Sequence, residues 1–207
     1  MTIAALYVET NGCYFGLEGV DPWDQARDAR LYAGPHPVVA HPPCQRWGNF
    51  WFGGTHPTSK RYEMGDDGGC FKAALASVRE FSGIIEHPAG SRAWKHFEII
   101  APPHGGGWVR ADLYGGWTCE IDQGSYGHRA RKKTWLYAHG TDRPQLKWGP
   151  AEGDFMLLRA VSEARMKERG MKNHKPVVSR KECLATPEPF RDLLIEIAQT
   201  GILRAQS

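Results

Sequence analysis

The sequence predicts an α/β fold, a parallel sheet flanked by helices, and three observations carry that expectation. Short apolar runs, "IAALYV", "PVVA" and "GIIE", have strand length and alternate with a segment of helical periodicity, "CFKAALASVREF". Two of the runs end at prolines. Residues with chemical potential, Cys44 and Glu86, stand at or just past those ends, where sites of open α/β sheets gather.

Residues 3–8 read as a first buried strand. The stretch 21–34, "DPWDQARDARLYAG", reads as a capped helix stopped by Gly34. A second strand over about 37–41 is halted by Pro42 and Pro43, which lack amide donors and force the chain to stay extended, delivering Cys44 to its carboxyl edge. A glycine-rich, aromatic loop follows to about 68, then the helix that begins at Cys70, then the strand "SGIIEHP". "SRAWKHFEII" reads as a short helix, "WVRADLYGG" and "TCEIDQGSYG" as strand-like, and "KKTWLYAHG" as a strand closed by Gly140. A helix is expected near 155–169. The closing helix over 186–201 has Thr186 as N-cap, Pro187 in its first turn and Gly201 as its stop.

At 207 residues the chain has material for one domain: a core over 1–140, a basic segment over 141–181 and the closing helix. A hydrophobic share of 41% beside 24% charged residues is that of a soluble protein. No apolar run reaches the roughly 20 residues that span a bilayer. The first residues carry no basic start followed by an apolar core, so a cytoplasmic protein with no membrane partner is expected. Five cysteines without CxxC spacing indicate reduced thiols and neither a disulfide frame nor a zinc ribbon. The net charge of +3 is mildly basic, with basic residues gathered at 127–133 and 162–181, either to meet phosphate or as solvated faces.

Three short pieces ask for one explanation: Pro43-Cys44-Gln45 after a strand, Glu86-His87-Pro88 at the end of the next, and Tyr126-Gly127 with Arg129 and Arg131 before a third. In this order, with "DDGGCFKAALASV" between the first two, they resemble the Pro-Cys-Gln, Asp-Asp-x-Arg-Gly, Glu-Asn-Val/Pro and Gln-x-Arg-x-Arg motifs of the DNA cytosine-5 methyltransferases. The resemblance covers about 37–140 and is that of a short, phage-type member. It implies a Rossmann-like, methyltransferase-type sheet. DNA or a pyrimidine nucleotide is then the substrate, S-adenosylmethionine the cofactor, and a phage or host protein a possible partner. No metal is expected, because His41, His87 and His128 follow no zinc or iron spacing.

The chemistry explains the residue types. A pyrimidine is electron-poor at C6 and unreactive at C5, and a thiolate adding to C6 makes C5 nucleophilic, the task given to Cys44. A carboxylic acid beside N3 relieves the charge that addition puts on the ring; this is the task given to Glu86, which then needs a raised pKa. The resemblance gives Arg129 and Arg131 to the base carbonyl and the active-site loop. Pro43, Gln45, Trp47, His87, Tyr126 and His128 are expected around the substrate. Each has a plainer alternative: Cys44 as turn packing, Glu86 as a partner of Arg92, the basic run as a solvated edge, and Trp47, Phe50, Trp51 and Phe52 as lid or core.

The cofactor half is short. Only 43 residues precede Cys44, so Gly12 and Gly16 keep an echo of a glycine turn, and Asp21 and Trp23 an echo of the Asp-Pro-Tyr-Ala helix start, without room for the full cradle. Three classes of function follow. They are a minimal cytosine-5 methyltransferase, a cofactor-independent modification of cytosine or uracil at the same Cys44 and Glu86, and a non-catalytic nucleic-acid-binding relic.

Overall fold

The computed structural model describes residues 2–53, 56–157 and 175–205. Seven strands form one sheet: β1 (Ile3–Leu6), β2 (Val20–Trp23), β3 (Val38–Ala40), β4 (Gly83–Pro88), β5 (Val109–Arg110), β6 (Trp117–Asp122) and β7 (Lys133–His139). Their spatial order is β2-β1-β3-β4-β7-β6-β5. Strands β1, β3 and β4 are parallel, as expected, and β2, which was not expected, joins β1 in the same direction. The sheet as a whole is mixed, because β7 runs antiparallel to both β4 and β6, and β5 antiparallel to β6. Only residues 123–132 join β6 to β7, too few for the crossover that a parallel pair needs.

The sheet is covered on both faces, so its strands alternate between two cores. Ala4, Leu6, Val38, Ala40, Ile85 and Tyr137 face α1 (Cys70–Phe81) and α2 (Arg92–His96). Ile3, Ala5, Val39, Ile84 and Leu136 face the other way, toward α4 (Glu188–Ala205), which follows the short α3 (Arg180–Leu184). In α1 the residues Phe71, Ala74, Leu75 and Val78 are buried at the 3, 4 and 7 spacing of one helical face. Ser91 caps α2, its hydroxyl accepting from Ala93 N.

Four expectations need correction. The stretch 21–34 is no helix. Val20–Trp23 pairs with β1 as the edge strand, where Pro22 loses no ladder bond, and two 3-10 turns follow at Gln25–Arg27 and Ala29–Leu31. The Asp24 and Asp28 carboxylates bond nearby backbone amides, and Asp28 sits at φ +48, which interrupts helix growth. The "TCEIDQGSYG" strand turns into a 3-10 helix at Gln123–Tyr126. Phe155 and Met156, given to a helix, instead make isolated bridges to Ala130 and Val177. Residues 158–174 of that predicted helix and of the basic segment lie outside the described residues. Finally, α4 runs through Gly201. A Cβ there would lie 2.7 Å from Ser82 Cβ, so this glycine allows helix and sheet to approach closely and stops nothing.

Candidate active site

The topology brings one edge of the sheet together. Parallel β1, β3 and β4, with β6 running alongside them, end on one side, and β7 starts there. Because Ala40 pairs with Ile85, the next residues, His41 and Glu86, stand side by side, and His41 Nδ1 lies 3.0 Å from Glu86 Oε2. Across the ring, His41 Nε2 lies 2.8 Å from the Tyr14 hydroxyl. From the 3-10 turn just past β6, Gln123 Nε2 donates to Glu86 Oε1 at 3.1 Å and to Thr134 Oγ1 at 2.9 Å. Both carboxylate oxygens of Glu86 are therefore engaged. Gln123 Oε1, fully buried, has no partner among the described residues.

Cys44 rides on a braced turn. Trp47 N donates to Cys44 O at 3.0 Å, and Arg92 N to Trp47 O at 2.9 Å. Trp47, expected near substrate, is 2% exposed, donates Nε1 to Asp67 Oδ2 and packs against Phe71, His96 and Phe97. It anchors the loop. His87 lies buried behind the turn, its Nδ1 2.7 Å from Ser91 Oγ, its ring against Phe71 and Trp94. Burial lowers its pKa to about 4 against the pull of Glu86 and of the Pro42 and Pro43 carbonyls, so the ring stays neutral. Pro43 and Gln45 are exposed on either side of the half-buried Cys44.

Electrostatics couple the pair. Burial pushes the Cys44 thiol up, Glu86 adds to the rise and Lys132 opposes it. Burial also pushes Glu86 up, but the hydrogen bond and charge of His41, with the charge of Lys132, outweigh it and leave the carboxyl below its ordinary value. The raised pKa that the sequence called for is thus absent, since two donors favour the carboxylate form. Lys132 is itself lowered by burial, against Glu86 and Cys44, and its Nζ donates to Ala185 O at 2.9 Å.

The other expected residues build the 123–132 turn. Arg129 Nε donates to Glu182 Oε1 at 2.7 Å and its guanidinium lies 3.9 Å from the Phe155 ring centre. Arg131 faces Asp122 at 3.4 Å. His128 Nδ1 lies 2.8 Å from Ala130 O and its Nε2 3.1 Å from Glu182 O, while the Tyr126 hydroxyl accepts from Lys147 N. Of the basic residues in this turn, Lys132 is the one whose charge acts on Cys44 and Glu86. Sequence reasoning missed this, along with Tyr14, Gln123, Thr134 and the pairing of His41. Residues in register near the carboxyl ends of adjacent parallel strands are neighbours, and that signal was present for His41 and Glu86.

The cofactor positions are occupied by their own neighbours. Asp21 Oδ2 accepts from Trp23 Nε1 at 2.8 Å, and Arg27 donates to both oxygens of Asp21. The Arg27 guanidinium lies 4.0 Å from the Trp23 ring centre, and Tyr32 packs on the same ring. A Cβ on Gly12 would meet Glu9 O at 2.8 Å, whereas Gly16, at φ +75, faces open space. Beside the Cys44 turn, Phe50, Trp51 and Phe52 form a partly exposed aromatic group, and Arg46 lies 3.3 Å from the Tyr62 ring centre. A cleft of about 620 Å³ lined by residues 61–66 opens on that flank, not between Cys44 and Glu86.

Among the described residues no three His, Cys, Asp or Glu side chains converge as a metal cradle, and no helix is long and apolar enough to cross a membrane. No protein-family model matches the chain, and neither does any curated protein.

Proposed function

We propose that this protein is a pyrimidine C5-modifying enzyme, resembling a minimal DNA cytosine-5 methyltransferase, in which Cys44 attacks C6 and Glu86 assists at N3. The observation that carries the reading is the shared carboxyl edge of β3 and β4, where register sets Glu86 beside His41 and the turn holding Cys44 follows three residues on. The strand order, with β7 antiparallel between β4 and β6, supports a Rossmann-like, methyltransferase-type sheet whose cofactor side keeps two strands, β1 and β2. Lys132 favours the thiolate and offsets charge on the ring. Pro43 and Gln45 flank the sulfur, and Phe50, Trp51 and Phe52 offer faces on which bases of a DNA strand stack. For duplex DNA the target base leaves the stack to reach Cys44. Arg129 and Arg131 reach substrate once Glu182 and Asp122 release them. An attacking thiol needs a reducing compartment, which fits the cytoplasm.

S-adenosylmethionine would supply a methyl electrophile. The residues assigned to it do not form a cradle as they stand, because Asp21 and Trp23 are satisfied by each other and by Arg27. That engagement favours a second reading, in which the nucleophilic C5 exchanges or loses a substituent without this cofactor. Intact-protein mass spectrometry with a 5-fluorocytosine oligonucleotide, with and without S-adenosylmethionine, separates the two. An adduct in both conditions supports the cofactor-independent reading, and one seen only with S-adenosylmethionine supports methyl transfer. No adduct in either condition sinks the proposal.

A further inference from the structure

We propose that the acid of this site is a hydrogen-bonded pair, in which His41 is a positioning residue that hands the Glu86 carboxylate the proton that Glu86 passes to N3 of the pyrimidine. The inference rests on the pyrimidine reading above and deepens it. Glu86 must be a proton donor for the addition, yet its surroundings favour the carboxylate. One of its neighbours resolves the conflict. Gln123 donates to Oε1, but an amide has no proton to give. Lys132 acts by charge while its Nζ is bonded to Ala185 O. His41 is both in hydrogen-bond contact with Glu86 and able to carry a labile proton.

The geometry holds His41 to that task. Its side chain is 12% exposed and that of Glu86 13%, so water competes little for their contact. Tyr14, 2% exposed, fixes the far nitrogen at 2.8 Å. The phenol oxygen can accept from Nε2–H both in the imidazolium and in the Nε2–H tautomer that remains once Nδ1 has given up its proton. The titratable and charged groups around the pair come from five segments. Tyr14 meets His41 from the β1–β2 loop, Cys44 and His87 flank Glu86, Lys132 approaches from before β7, and Arg191 and Asp192 of α4 act on Tyr14.

The step balances. The Cys44 thiol first loses its proton to water. The thiolate forms the S–C6 bond, the C5=C6 π pair moves to C4=C5, and the C4=N3 pair moves onto N3. His41, starting as the imidazolium, passes its Nδ1 proton to the Glu86 carboxylate, and Glu86 passes it on to N3, leaving a neutral adduct, a carboxylate and a neutral imidazole.

The test is the rate of adduct formation with a 5-fluorocytosine oligonucleotide across pH, for the wild type and for His41→Ala, His41→Asn and Tyr14→Phe, each first shown to be folded by circular dichroism. The wild type is expected to give a bell-shaped profile, rising with thiolate and falling as the pair loses its proton. His41→Ala lowers the maximum by about 100-fold. His41→Asn keeps an N–H facing Glu86, so it recovers part of the rate but displaces the alkaline limb, and Tyr14→Phe moves the same limb. A His41→Asn enzyme with wild-type rate and profile shows that His41 is only a prop, and overturns the proposal while leaving the pyrimidine reading intact. Failure of the wild type to form an adduct at any pH overturns both.

Discussion

At the scale of single residues, the account turns on opposite charges acting on one sulfur. Glu86 raises the Cys44 pKa and Lys132 lowers it. Glu86→Gln removes the anion, so it is expected to speed alkylation of Cys44 by iodoacetamide near neutral pH by several-fold. The same variant slows addition to a fluoropyrimidine, because N3 loses its acid. Peptide mapping after timed alkylation reads the first effect. A variant that slows both reactions contradicts the assigned electrostatics. Cys44 and Glu86 were legible in the sequence because a β-branched run meeting proline marks a strand end. Lys132 was not, since which of the neighbouring Arg129, Arg131, Lys132 and Lys133 turns inward is set by the 123–132 turn. There Glu182 and Asp122 hold the two arginines.

At the scale of elements, local side-chain chemistry decided where pattern reading succeeded. Helix α1 was legible because its apolar spacing and its burial agree. The 21–34 stretch misled because its aspartates look like helix caps but bond the backbone of tight turns. Gly201 looked like a stop because its true constraint, Ser82 on a distant segment, is tertiary. The junction of β4 and α2 carries its own prediction. His87 accepts a proton at about 6.5 in the unfolded chain and only at about 4 when folded. The unfolded state therefore gains protons first as pH falls, and stability present above pH 6.5 drains away down to pH 4, by up to about 3 kcal/mol. Denaturant unfolding at steps through this window should show that loss in the wild type and a flatter dependence in His87→Asn. An equally steep dependence in the variant would assign the acid sensitivity to another group.

At the scale of the whole molecule, the sheet order turns scattered motifs into one site. The residues that meet Glu86, His41 and Gln123, and those that hold them in turn, Tyr14 and Thr134, are drawn from positions 14 to 134, because β1, β3, β4, β6 and β7 share an edge. The strand, proline and motif order made that edge visible before the structure did. The antiparallel seventh strand and the partner of each polar atom were not visible, since they depend on loop length and register. The central claim, that Cys44 bonds covalently to a pyrimidine, is tested most directly by peptide mapping of a 5-fluorocytosine oligonucleotide adduct. The account predicts one nucleotide mass on the peptide holding Cys44, lost in Cys44→Ser while DNA affinity stays within about a few-fold of wild type. Attachment at another residue, or an undiminished adduct in Cys44→Ser, would contradict it.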